Sequence, residues 1–256
     1  MNVPTPPDLY FTESGSGPPL LLVHGLAISG EMFEPIVGPL AAHHRLIIPD
    51  LRGSGGSRNL APPFSVKQQA ADLSRLLDHL GIRTTDVLGY SQGGPVVQQL
   101  ALDDPARVKR LVLVNTYAHN MISLREKLEG HLVPLLIRLL GMRRFARFVI
   151  ALGMKQVPKE RALRVIDLIA RENAGVTARL WREAMAFDSR PRLNDIRCPV
   201  LIIAGSQDDA VPLHHAMMLH DGIAGSKLVT IEGADHALIW ARPDLLLENV
   251  KAFLES

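Results

Sequence analysis

Short apolar runs alternate along this chain with helix-patterned stretches, and that alternation restricts the fold more than any other feature. Residues 20–24, 46–49, 85–89, 108–114, 200–204 and 227–231 read as strands. Their nearly continuous apolar character is what parallel strands show when helices cover both faces of the sheet. Between them, residues 66–80 space Ala70, Leu73, Leu76, Leu77 and Leu80 at helical intervals, and residues 243–254 read as a closing helix. The order predicts an α/β fold with a mostly parallel twisted sheet flanked by helices. At 256 residues and 47 % hydrophobic content, the chain can build one large domain with a substantial core.

One block breaks the alternation. From about residue 120 to 195 no strand pattern recurs; leucine- and arginine-rich helical segments are broken at Gly141, Gly153, Pro158 and Gly175. This reads as a helical insertion, residues 120–195, within a body made of residues 1–119 and 196–256. Fifteen Lys/Arg against eight Asp/Glu give the insertion a charge of +7 and leave −5 for the rest of a chain whose net charge is +2. A basic insertion attracts anionic substrates or acidic surfaces; the simpler reading is arginines on a solvated helix face with their stems over apolar neighbours.

Composition excludes several function classes. The small net charge does not point to nucleic acid. A single cysteine, Cys198, rules out an internal disulfide framework and fits a reducing, cytoplasmic setting. Residues 1–7 carry three prolines and no apolar h-region, so no secretory signal is visible. No uninterrupted apolar stretch reaches the ~18 residues of a membrane span.

The segment Gly89-Tyr90-Ser91-Gln92-Gly93 carries the chemistry. A serine flanked at two-residue distance by glycines, with a strand before it and a helix after it, is the pattern of a nucleophile elbow. Residues 85–88 supply the strand. Residues 94–102 supply the helix, with Pro95 in its first turn, where a missing N–H costs nothing. Ser91 then sits at a helix N-terminus, whose partial positive charge favours a developing anion.

A serine hydroxyl needs a base within hydrogen-bond reach, itself oriented by an acid. With an elbow, the partners follow the serine in the order Asp or Glu, then His. After the strand at 200–204 comes Gly205-Ser206-Gln207-Asp208-Asp209, and after the strand at 227–231 comes Glu232-Gly233-Ala234-Asp235-His236. Both loops fall at strand C-terminal ends, where sites in open α/β sheets gather. His236 is the candidate base, with Asp208 or its neighbour Asp209 as the acid. Asp235 reads as a turn residue, and His214, His215 and His220 as surface residues of a helical stretch. His43, His44 and His79 fit no ligand spacing, and no His/carboxylate cluster supports a metal. For the oxyanion, the backbone N–H groups of Gln92 and of Leu26, in the loop after the first apolar strand, are the candidate donors, and both side chains then line the substrate pocket. The glycine cluster at 53–57 lacks the G-K-[ST] ending and the full G-x-G-x-x-G spacing, so no nucleotide site is read and no cofactor is expected.

With these motifs in this order, the chain resembles the α/β-hydrolase superfamily, in its compact bacterial branch with a helical cap. The resemblance covers nearly the whole chain: residues 21–25, the Asp50-Leu51-Arg52-Gly53-Ser54-Gly55-Gly56-Ser57 segment, the elbow, residues 205–212 and residues 233–236. It implies Asp208 as the acid, His236 as the base, the 50–57 segment as the site's floor and residues 120–195 as the cap. Two positions depart from the pattern: Asp235 stands where similar proteins often carry glycine, and Phe33 where they often carry tryptophan.

The same resemblance narrows the reaction. Serine at the elbow argues against similar dehalogenases and epoxide hydrolases, which place aspartate there, and residues 120–195 hold no tyrosine. Ala237 after the base argues against carbon–carbon bond hydrolases, which characteristically have tryptophan. Hydrolysis of a small-molecule carboxylic ester leads, with cap residues 132–140 shaping an apolar pocket. Lactone or thioester hydrolysis, carbon–carbon cleavage and cofactor-free perhydrolysis stand behind it, and a non-catalytic receptor or scaffold is the alternative from another class.

Overall fold

The structure, a computed structural model, describes residues 8–255. Residues 1–7, read above for a secretory signal, lie outside them. The strands are β1 (Phe11–Ser14), β2 (Pro19–Val23), β3 (Arg45–Pro49), β4 (Thr85–Tyr90), β5 (Val108–Val114), β6 (Val200–Gly205) and β7 (Lys227–Ile231). They form one sheet in the order β1-β3-β2-β4-β5-β6-β7. β1 runs antiparallel to β3, and every other pairing is parallel. The helices are α1 (Glu34–Ala41), α2 (Val66–His79), α3 (Gly93–Asp103), α4 (Leu124–Leu140), α5 (Met142–Gly153), α6 (Lys159–Ala170), α7 (Ala174–Ala186), α8 (His214–Gly222), α9 (Leu238–Ala241) and α10 (Pro243–Leu254).

The inner strands β2 to β6 are largely apolar because alternate side chains enter two different cores, whereas the edge strands β1 and β7 carry exposed Thr12, Glu13, Lys227 and Thr230. Leu20, Leu22, Leu88, Val112 and Ile203 pack with α1 and α10 on one face. Leu21, Val23, Val87, Leu113 and Ile202 pack with α2, α3 and α8 on the other. A strand with water on one face would instead alternate apolar and polar.

Strand order reverses between β2 and β4, since β3 lies on one side of β2 and β4 on the other. Their register pairs Val23 with Gly89. The loop leaving β2 and the turn leaving β4 therefore open side by side at the carboxyl ends of the strands, the position where open α/β sheets form their crevice. Four helices, α4 to α7, intervene between β5 and β6 with no strand among them. Ser123 starts α4 with a reciprocal capping box, its hydroxyl accepting from Glu126 N while the Glu126 carboxylate accepts from Ser123 N. No described helix is long and apolar enough to cross a membrane.

Candidate active site

Local sterics shape the turn after β4. Ser91 takes φ = 52°, a left-handed conformation that costs an L-residue about 1–2 kcal/mol. Its N–H donates to Val114 O at 2.9 Å, and its carbonyl accepts from Thr116 Oγ1 at 2.6 Å and Gly94 N at 2.9 Å. The flanking glycines let the backbones close in. A Cβ on Gly93 would stand 2.2 Å from Val23 O, and one on Gly89 2.5 Å from the Val97 side chain. The hydroxyl is thus presented at the start of α3.

His236 and Asp208 meet that hydroxyl. The Ser91 Oγ lies 3.0 Å from His236 Nε2, and His236 Nδ1 lies 2.7 Å from Asp208 Oδ2. The second Asp208 oxygen accepts from Ala210 N and Val211 N at 2.9 and 2.8 Å, which fixes the carboxylate plane. Burial opposes a charge on His236, but the charge and hydrogen bond of Asp208, helped by Asp235, outweigh it and hold its pKa above the ordinary value. With Asp208 at Nδ1, the neutral ring carries its proton there and presents Nε2 as an acceptor. Asp209 turns away: it is exposed and pairs with Lys155 at 3.1 Å.

Several supporting residues escaped the sequence reading. Asp235, expected to be an ordinary turn residue, is buried and accepts from Ala237 N at 2.8 Å and Gln156 N at 2.9 Å, tying the His236 loop to the segment after α5. Tyr90 donates its hydroxyl to the His236 carbonyl; burial, then the Asp208 charge, keep that phenol protonated. Asn115, at φ = 45° just past β5, accepts from Gly205 N and donates to Asp235 O, joining the loops of Asp208 and His236. An asparagine at a strand end is a signal for such a conformation.

Leu26 and Gln92 both line the space in front of Ser91. Neither backbone N–H has an acceptor among the described residues, so both remain open to a bound oxygen. Gly25 serves close approach, since a Cβ there would lie 3.2 Å from Ser91 Cβ; the left-handed residue of this loop is Ala27, at φ = 60°. The 50–57 segment does not form the floor as expected. It braces the loop from behind: Asp50 accepts from Gly30 N and Gly56 N, each at 2.7 Å, and Leu51 N donates to His24 Nε2 at 2.8 Å.

A cavity of about 400 Å³ lies over Ser91 and His236. Its walls are mostly apolar, with Leu132, Val133 and Leu136 from α4, Phe145 from α5 and Met185 from α7, and Asn120, Arg125, Glu129 and Asp209 also line it. The expectation that residues 132–140 shape it holds only in part, because Leu135 and Leu139 face solvent and Ile137 packs into the core.

His215 corrects two further expectations. It is fully buried, and it joins His214 on Glu126 Oε1, at 2.9 and 3.1 Å. The fold thus assembles the His/carboxylate group that the linear sequence conceals, with nitrogen and oxygen donors of the kind divalent metals accept. Burial works against the Glu126 charge, but the Ser123 hydrogen bonds and His215 outweigh it and bring its pKa down to about 2. Burial and the adjacent His214 lower the pKa of His215, which is neutral at pH 7 and donates from Nε2. Glu126→Ala removes the acceptor for Ile122 N, Ser123 N and His215, and is expected to cost about 2–3 kcal/mol in urea unfolding. A carboxylate with a depressed folded pKa stabilises above its unfolded value, near ~4.3, and loses that contribution as pH falls toward about 2. The wild-type advantage over Glu126→Ala should shrink across that window; a constant difference would remove Glu126 from this role.

A doubly covered, mostly parallel sheet with a strand–serine–helix turn at its switch point and histidine and aspartate on neighbouring strand ends defines a class of protein, and comparison with known proteins agrees. Residues 18–136 match the family model described as alpha/beta hydrolase fold, and residues 180–256 that described as TAP-like protein. A protein of Azorhizobium caulinodans that carries the name carbamate hydrolase RutD is 31 % identical over 96 % of this chain and 94 % of its own length. The magnesium-chelatase 30 kDa subunit of Rhodobacter capsulatus is 34 % identical over 82 % of this chain and 78 % of its own. The enol-lactonase of Burkholderia xenovorans LB400 superposes with a TM-score of 0.88 at 26 % identity, covering 97 % and 96 % of the two chains. The chain belongs to the α/β-hydrolase family and is an enzyme of that type.

Proposed function

We propose that the protein is a serine hydrolase that cleaves small to medium carboxylic esters through an acyl-enzyme, with Ser91 as nucleophile, His236 as base, Asp208 as its orienting acid and residues 120–195 as a cap over the substrate. The observation that carries this reading is the continuous hydrogen-bonded chain from Ser91 Oγ through both His236 nitrogens to Asp208. As the Ser91 oxygen attacks the acyl carbonyl, its proton passes to His236 Nε2, and the imidazolium is stabilised by Asp208. The carbonyl oxygen gains the negative charge between the Leu26 and Gln92 N–H groups. Collapse of the adduct breaks the ester C–O bond, and His236 returns the proton to the departing alcohol. Water, deprotonated by the same ring, then releases the acid and restores Ser91. The apolar walls favour an apolar acyl or alcohol group. Lactone or carbamate hydrolysis is the second reading, favoured by the names of two of the relatives; it uses the same attack at a carbonyl. The lone Cys198 fits a cytoplasmic setting.

A fluorophosphonate probe should label the wild type at Ser91 and leave Ser91→Ala unlabelled. A panel of p-nitrophenyl esters, lactones and carbamates ranked by kcat/KM then separates the two readings. Absence of labelling in folded wild-type protein would exclude a serine hydrolase of either kind.

A further inference from the structure

Helix α4 carries a face that nothing in the described structure covers. Leu124, Leu128, Leu132, Leu135 and Leu139 are 84, 57, 45, 52 and 70 % exposed. At 3.6 residues per turn these five fall within an arc of about 80°, one continuous apolar stripe along the helix. Phe148 and Leu152 of the neighbouring α5, 44 and 52 % exposed, widen it. Monomeric proteins seldom leave such a contiguous patch to water without a binding role.

Charge identifies the occupant. Lys127 and Arg138 project along one flank of the stripe, and Arg144 and Arg147 stand beside Phe148 on α5; all four are exposed. None has an acidic partner within 4.0 Å among the described residues, whereas the next cations, Arg125 and Arg143, are paired with Glu129 and Asp167. An apolar stripe bordered by unpaired cations is the pattern of a helix that lies in the plane of an anionic lipid surface, leucines in the acyl boundary and cations at the headgroups. A second copy of the chain fits less well, because a two-fold contact through this face would set the unpaired cations against one another. Leu128, Leu132, Phe148 and Leu152 also line the cavity over Ser91, so the face surrounds the cavity's mouth.

We propose that the α4–α5 face docks the protein on an anionic membrane surface, with the mouth of the cavity turned toward the lipid. This inference does not depend on which acyl bond the enzyme cleaves.

Flotation with vesicles tests it. Wild-type protein should float with vesicles of roughly three parts phosphatidylcholine to one part phosphatidylglycerol, at least tenfold more than with phosphatidylcholine alone. High salt should abolish the difference, because the Debye length shrinks from about 10 Å at 0.1 M to about 3 Å at 1 M. Leu135→Glu/Leu139→Glu, which alters neither the cavity wall nor the core, should lose flotation while keeping wild-type turnover of a water-soluble ester or lactone. Lys127→Glu/Arg138→Glu should lose only the phosphatidylglycerol-dependent part. Failure of the wild type to float, or equal and salt-insensitive binding to both vesicles, overturns the proposal. So does a wild-type dimer in sedimentation velocity that Leu135→Glu/Leu139→Glu dissociates, since the covering partner is then a second copy. Activity lost in every form, wild type included, would count against the hydrolase reading and leave the flotation result standing.

Discussion

Ser91→Ala is expected to lower kcat on p-nitrophenyl esters by roughly 10⁵- to 10⁶-fold while the protein stays folded. The size follows from the division of labour at the site. Removing Oγ removes the atom that forms the acyl-enzyme, and neither His236 nor the Leu26 and Gln92 N–H groups can act in its place. What survives is the contribution of those donors and of binding, enough for slow direct attack by water. Stability should move little: the substitution loses one partly exposed hydrogen bond to His236, worth about 1 kcal/mol. Ser91→Gly separates chemistry from strain. It should be as inactive as Ser91→Ala yet more stable than it by about 1 kcal/mol, because glycine adopts φ = 52° without the cost a Cβ imposes. Ser91→Ala retaining a tenth of wild-type turnover in esterase-free material would remove Ser91 from the nucleophile's role. Equal stability of the two variants would show that the turn stores no strain.

The body of this fold was legible for a definite reason. Strands buried on both faces read as unbroken apolar runs, so β4, β5 and β6 fall within a residue of the positions read from sequence. The turn at Ser91 was legible because its glycines answer a local steric demand, and such demands are written locally. Chain order and strand ends point to His236 and leave Asp208 and Asp209 both open as the acid; the family resemblance favours Asp208, and nothing local shows that 28 residues of chain bring it to 2.7 Å from His236. The unread part is tertiary. Glu126 and His215 lie 89 positions apart, and neither's neighbours hint at the other. Gln156 reaches Asp235 across 79 positions. In α4 the cavity-lining and water-facing leucines are adjacent in sequence and fall on one broad side of the helix, so composition cannot separate Leu136, which lines the cavity, from Leu135, which faces water.

Asp208→Asn is expected to reduce kcat about 10⁴-fold, near 5.5 kcal/mol in the barrier, with the backbone undisturbed. The Asp208 carboxylate is committed on both oxygens: one accepts from Ala210 N and Val211 N, the other from His236 Nδ1. An amide satisfies the same two backbone donors only by keeping its oxygen there, which turns its NH₂ toward His236. The ring must then accept at Nδ1, and its proton moves to Nε2, the position that has to receive the Ser91 proton. The pH profile should report the same change. In the wild type the base works only when neutral, so kcat/KM falls as pH drops through a His236 pKa that Asp208 and Asp235 hold above the ordinary ~6.5. Without the Asp208 charge, burial dominates, protonation becomes harder, and the acid limb of the residual activity should move to lower pH. Asp209→Asn provides the contrast: that carboxylate is exposed and bound to Lys155, so its loss should change kcat/KM by no more than about twofold. If Asp209→Asn proved the damaging substitution and Asp208→Asn the silent one, the orienting carboxylate would be Asp209, and the Asp208 loop would have to rearrange around a substrate.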